Sequence, residues 1–140
     1  MTYLLDTDTI SAVLKRTPNI SVMRRLAGLD ESEVFTSAIT VGELVFGAAV
    51  AGLADLEKRI EVMLSSVPVV SFDEAAGYTY GRVRADLRSR GLTLDDPDLR
   101  IAAIALTHEM TVVTGNQRHF HKVPGLHLEN WLTQPRVAPA

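Results

Sequence analysis

Five short runs with strand character, Leu4-Leu5, Glu33 to Thr36, Val67 to Val70, Thr111 to Thr114 and Leu126 to Leu128, are separated by stretches long enough to hold helices. Strands with almost unbroken apolar character are buried on both faces, and a chain that alternates them with helices folds as a parallel sheet covered on each side. The helices are legible from spacing. Ile10, Val13 and Leu14 share one face just after the first run, and residues 40–52 and 54–65 are helical, the latter through Leu56, Ile60, Met63 and Leu64. Residues 73–90 align Ala76, Tyr80, Val83 and Leu87 between a capping box at Ser71-Phe72-Asp73-Glu74 and Gly91, and residues 97–109 repeat the pattern with Leu99, Ala102, Ala103 and Leu106. The expected architecture is an α/β fold in three layers, a mostly parallel sheet of about five strands with helices on both faces. One domain over residues 1–132 and a frayed tail over 133–140 complete it.

Composition narrows the chemistry. A chain of 140 residues, 46% of them apolar, fills one core and has no room for two. Its longest apolar runs, such as Ile101 to Leu106, fall far short of the roughly 20 residues a membrane span needs, and Met1 to Leu5 carry no basic stretch ahead of an apolar segment. A soluble, cytoplasmic protein without membrane contact is expected. The absence of cysteine excludes disulfides, a thiolate nucleophile and a cysteine zinc site, so a metal would be held by oxygen or imidazole. A net charge of −3 disfavours a passive nucleic-acid coat. It leaves open an enzyme that meets phosphate through a bound cation.

In an open parallel sheet, ligands bind beyond the carboxyl ends of the strands. Asp6 ends the first run, followed by Thr7 and Asp8; Glu43 opens a helix; Asp95, Asp96 and Asp98 crowd the start of another; Thr114-Gly115-Asn116 follows the fourth run. Most of these fit plain helix capping: Thr40 to Glu43 as a capping box, Asp96 as an N-cap ahead of Pro97, Asp98 at the positive end of the helix dipole, Thr7 or Asp8 as the cap of the first helix. Asp6 resists that reading, because a charge ending a buried strand costs several kcal/mol unless paired or metal-bound. No lysine or arginine lies within four residues of Asp6 or Glu43, and Arg100, two positions after Asp98 on a helix, points elsewhere. Carboxylates gathered without a cation repel one another, and an all-oxygen site suits Mg2+ or Mn2+.

The order and spacing of LLDTDTIS, SAITVGELVFG, LDDPDLRIAAIAL, VVTGNQRHF and VPGLHLENW resemble the PIN-domain ribonucleases, specifically the VapC-type toxins of toxin–antitoxin pairs, from Tyr3 to Leu132. The resemblance implies a PIN-like fold, a metal-dependent endoribonuclease and an acidic core of Asp6, Glu43 and Asp98, with Asp6 and Asp98 as principal metal ligands. At the fourth family position stands Asn116, one negative charge fewer, which Asp96 makes up as a further ligand unless it only caps the helix. Thr114 and Asn116 would orient water or phosphate. A bound cation would acidify an attacking water and stabilise the leaving oxygen of an in-line phosphodiester displacement. The same resemblance implies RNA as substrate, a VapB-type antitoxin as partner, and a homodimer for which Val45, Phe46, Ala49 and Leu53 to Leu64 offer apolar surface.

Other polar features have plainer readings. Asn116 to Lys122 reads as a solvated, partly basic loop, and His119 and His121 make a weak metal-ligand pair. Arg82, Arg84, Arg88 and Arg90 are a better phosphate candidate, since Arg84 and Arg88 share a helix face. Trp131 stands alone and reads as a packing anchor. Two rivals to the nuclease exist. One is a haloacid dehalogenase-like phosphatase using Asp6 as nucleophile and Asp8 as acid/base, disfavoured because that family needs its threonine or serine strand and a lysine ahead of the acidic pair. The other is a PIN-fold binding module without catalysis.

Overall fold

A computed structural model describes residues 1–133; the expected frayed tail, apart from Thr133, lies outside the described residues. Five strands form one sheet, β1 (Tyr3–Leu5), β2 (Val34–Ser37), β3 (Val69–Val70), β4 (Thr111–Val113) and β5 (Leu128–Glu129), in the order β3-β2-β1-β4-β5. Every pairing is parallel, with Leu5 opposite Thr36 on one side and Val113 on the other. The central strand is thus the first in the chain, and consecutive strands are laid down to one side of it before the chain crosses to the other. That reversal between β1 and β4 opens a crevice beyond their carboxyl ends.

Among the described residues the seven α-helices are α1 (Thr7–Leu14), α2 (Ile20–Ala27), α3 (Ala38–Ala51), α4 (Ala54–Leu64), α5 (Glu74–Ser89), α6 (Asp96–Thr107) and α7 (Gln117–Phe120), with one 3-10 turn at Glu31–Glu33 ahead of β2. Side chains of a strand alternate between faces. Tyr3, Leu5, Val34 and Val113 join Ile10, Val22, Leu44, Ile60 and Trp131 in one core. Leu4 and Val112 join Ala76, Ile101, Ile104 and Phe120 in a second. The sheet is therefore sandwiched as expected, and Trp131 is a packing anchor, its ring edge-on to Tyr3 at 5.1 Å between centroids. No described helix is long and apolar enough to cross a membrane.

Several local expectations shift. Helix α3 begins at Ala38 with Ser37 as its N-cap, whose Oγ accepts from the Thr40 N–H at 3.1 Å, so Thr40 to Glu43 is not a capping box but already the first turns of the helix. Helix α5 is capped by Asp73, which accepts from the Ala76 N–H at 3.0 Å; the box at Ser71 does not form. Residues 117–120 make one helical turn where a loop was expected. Helix α2 was not expected at all. Its cap is Asn19, whose Oδ1 accepts from the Val22 N–H at 3.1 Å while its Nδ2 donates to the Leu132 carbonyl at 3.1 Å, tying the helix to the end of the domain. Asn19→Ala removes both bonds and should lower unfolding free energy by about 1–2 kcal/mol. Urea denaturation of the two chains measures the difference.

Candidate active site

Asp6 is the residue from which the crevice is built. Its backbone N–H donates to the Val113 carbonyl at 3.0 Å, extending the β1–β4 ladder by one step, and the chain then turns directly into α1. Asp6 itself caps that helix, not Thr7 or Asp8: its Oδ1 accepts from the Thr7 N–H at 2.8 Å. Its Oδ2 accepts from the Thr114 hydroxyl at 2.8 Å. Only 5% of Asp6 is exposed. Burial raises its pKa from 3.8 to about 6, against the lowering by the Thr7 and Thr114 hydrogen bonds and with further raising by Asp8 and Asp98.

The other acids reach the same cavity of about 770 Å3, lined by Asp6, Asp8, Glu43, Asp95, Asp96, Asp98 and Asn116 among others. Glu43 arrives from α3 and its Oε1 accepts from the Thr7 hydroxyl at 2.7 Å. Asp98 arrives from the first turn of α6; burial first, then Glu43 and Asp95, raise its pKa, while His119 opposes them. The nearest basic group to Asp98 is His119, whose Nδ1 stands 3.8 Å from Asp98 Oδ2. Arg100 points elsewhere, as expected: its Nε donates to Asp96 Oδ2 at 2.6 Å.

Asp96 does not cap α6. It is the first residue of the helix, after Asp95, and its two oxygens are taken by the Tyr80 hydroxyl and Arg100. Tyr80 first, then Arg100, holds its carboxyl below the usual range. Thr114 is fully buried, and its hydroxyl, besides donating to Asp6, accepts from the Asn116 N–H at 2.9 Å; it aims Asp6 and has no face left for substrate. The Asn116 amide donates to His119 Nδ1 at 2.9 Å, and the same nitrogen stands 3.8 Å from Asp98 Oδ2, beyond hydrogen-bond reach, so His119 in the single turn of α7 lies between Asn116 and Asp98, a proximity that sequence spacing did not reveal. Asp8 is a tether: its Oδ2 accepts from the Gly115 N–H at 2.8 Å. A Cβ on Gly115 would stand 2.9 Å from that oxygen and 2.5 Å from Leu132 Cδ1, which is why glycine occupies the turn.

The donor set suits a hard divalent cation: it is built on carboxylates, burial raises the pKa of Asp6 and of Asp98, and among the described residues no lysine or arginine pairs with Asp6, Glu43 or Asp98. As the side chains stand among the described residues, three acids do not close on one point. Glu43 is held by Thr7, and Asp96 by Tyr80 and Arg100.

Three comparisons bear on this geometry. The family model described as PIN domain matches residues 3–126. Among curated proteins, the chain is 29% identical to Ribonuclease VapC2 of Rickettsia felis over 94% of this chain and 98% of that protein. It is 31% identical to the tRNA(fMet)-specific endonuclease VapC of Salmonella typhimurium over 92% and 97%. Among solved structures, VapBC2 from Rickettsia felis bound to a DNA fragment from its promoter superposes with a TM-score of 0.86 at 28% identity, over 94% and 99% of the two chains.

The raised pKa of Asp6 has a thermodynamic consequence in metal-free buffer. The folded protein binds the proton more tightly than the unfolded chain, so the penalty for ionising Asp6 is present above about pH 6 and vanishes below the ordinary range near 3.8. The melting temperature in EDTA should therefore rise as pH falls from 7 to 5. Asp6→Asn, which can still cap α1, should stabilise the metal-free protein at pH 7 by up to about 3 kcal/mol and flatten that profile. Thermal melts of both chains across this range check it.

Proposed function

The chain belongs to the PIN domain family, and on that premise we propose that it is a metal-dependent endoribonuclease, the toxin of a VapBC-type toxin–antitoxin pair. The observation that carries the reading is one cavity, beside the crossing point of a parallel sheet, that buried Asp6, Glu43 and Asp98 all line and that among the described residues no arginine or lysine lines. The ribonuclease names of relatives matched along nearly their whole length support RNA as the substrate.

Asp6 and Asp98 would be the principal ligands of Mg2+ or Mn2+, with Glu43 beside them. When bound, the cation would supply an acidified water and charge stabilisation at the scissile phosphate. The residues of the chain set up the rest. Thr7 and Thr114 fix the Asp6 carboxylate from two sides, and Thr7 also restrains Glu43. His119 stands against Asp98 and is itself held by Asn116. Asp96, already neutralised by Arg100, contributes less charge to the centre than its position in the sequence promises.

Activity on a single-stranded RNA loop should disappear in EDTA and return with magnesium or manganese. Asp98→Asn keeps the side-chain volume, relieves repulsion from Glu43 and Asp95, and should reduce kcat at least about a hundredfold while the melting temperature holds or rises. Asp96→Asn should leave most activity. Cleavage that survives chelation, or an active Asp98→Asn chain beside a dead Asp96→Asn chain, would overturn these assignments.

The likeness to VapBC2 supports a VapB-type antitoxin as partner. An apolar groove of about 550 Å3 between α1, α3 and α4, floored by Leu14, Leu44, Ala48, Leu56 and Ile60, shares Thr7 and Glu43 with the acidic cavity. It suits an amphipathic segment whose polar end carries an arginine to the acids. Gly47 lines the groove, and a Cβ there meets nothing within 4 Å. Gly47→Phe should thus fold, remain a nuclease and fail to co-purify with the antitoxin. The exposed Phe46, Val50, Leu53 and Val62 provide the apolar surface for the proposed homodimer.

A further inference from the structure

A further cavity, of about 460 Å3, lies where the C-terminal half of α5 and the connection through residues 91–94 meet the start of α6. Leu87, Leu92, Leu94 and Leu99 supply apolar lining, and Arg84 and Arg88 stand on its rim. Four residues apart on one helix, the two arginines share a face. Neither has a carboxylate partner among the described residues, in contrast to Arg90, held by Asp86, and Arg100, held by Asp96. Arg84 donates from Nη1 to the Tyr80 hydroxyl at 3.2 Å, and Tyr80 in turn bonds Asp96. Lys122 adds a third cation near the rim, its Nζ donating to the Thr93 carbonyl at 3.2 Å. Asp96 lines this cavity and the acidic one, so the two share a wall.

Paired guanidinium forks match the oxygens of a phosphate, and an apolar pocket with a polar rim has the character of a site for a planar base. A strand whose scissile phosphate lies over Asp6 and Asp98 would pass this second cavity as it crosses Asp96. We propose that the cavity receives a nucleotide of the RNA flanking the scissile phosphate, with Arg84 and Arg88 gripping its phosphate and the leucines accommodating its base. The inference rests on the ribonuclease reading and deepens it: Arg84 and Arg88 are positioning residues that set where along the strand the cut falls.

The test compares Arg84→Ala, Arg88→Ala, Arg88→Lys and Arg24→Ala, the last removing an exposed charge on α2 that lines none of these cavities. Each is made in the active chain and in the Asp98→Asn chain, and binding of a fluorescent RNA stem-loop to the latter is followed by anisotropy over a range of salt. Arg84→Ala and Arg88→Ala should each weaken binding roughly tenfold to a hundredfold and lower the slope of log affinity against log salt by about 0.7. In the active chains KM should rise while kcat is kept, Arg88→Lys should recover part of the loss, and Arg24→Ala should match its parent. Binding unchanged in Arg88→Ala, or lost equally in Arg24→Ala, overturns the subsite. If the parent binds RNA but the active chain never cleaves it, the ribonuclease reading falls while the ranking of the variants still decides the subsite. If the parent binds no RNA, both fall.

Discussion

Asp6 joins the start of α1, which follows it directly, to the end of β4 more than a hundred residues away. One oxygen closes the N-terminus of α1, the other takes the hydroxyl of Thr114 beyond β4, and the backbone N–H continues the ladder between β1 and β4. A helix N-terminus and a buried hydroxyl are among the few partners that can hold a desolvated carboxylate without neutralising it, because both offer dipoles and neither brings a full positive charge. Those dipoles do not fully offset burial, as the raised pKa of Asp6 records. The residual charge is what a site for a cation requires. An arginine in the same place would have neutralised that charge.

The topology places this arrangement. Since β1 is central, its carboxyl end borders both β2, which leads into α3 and Glu43, and β4, which leads to Thr114 and Asn116. Asp98 is delivered by α6, which packs Ile101, Ala102, Ile104 and Ala105 into the core on the second face. The small side chains of Ala102, Ala103 and Ala105, none of them exposed, let that helix lie close against its neighbours. The acids thus approach from both layers of helices, and their mutual distance is fixed by two independent cores. Loss of packing on either face would move one acid relative to another.

The layers, the parallel sheet and the residues at its edge were legible in the sequence because they follow from apolar periodicity and from acids at the ends of strands. The helices carried by long apolar stripes were found with small boundary errors. Helix α2 carried a legible signal, Ile20, Met23, Leu26 and Ala27 at helical spacing after Asn19, but with only eight residues and Val22 as its one fully buried side chain it is a surface element that a reading built on strands and long core stripes passes over. Capping was legible in kind but not in place. Ser37, Asp73 and Asp6 do what was assigned to Thr40, Ser71 and Thr7 or Asp8, since neighbouring polar residues at a helix start compete for the same N–H groups and only tertiary contacts decide among them. Half of the task of Asp96 was legible, since Arg100 stands four residues on; the other half was not, because its partner Tyr80 lies on another helix and no local spacing announces that contact.

That hidden contact clarifies how an acidic cavity and unpaired arginines coexist side by side. Arg100 lies on the same helix as Asp98 and near α5, and long cationic side chains seek the strongest available carboxylate. Asp96 captures it at i,i+4, and Tyr80 locks Asp96 in turn while Arg84 bonds the far side of the same hydroxyl. The stacking of Arg100 over Phe72, at 5.3 Å to the ring centroid, holds the guanidinium away from Asp98. Without the Asp96 charge, the rings of Phe72 and Tyr80 still hold Arg100 on the α5 side, away from the acids of the cavity. The boundary between the acidic and basic surfaces is thus a chain of hydrogen bonds through one tyrosine, backed by the aromatic faces against which Arg100 lies.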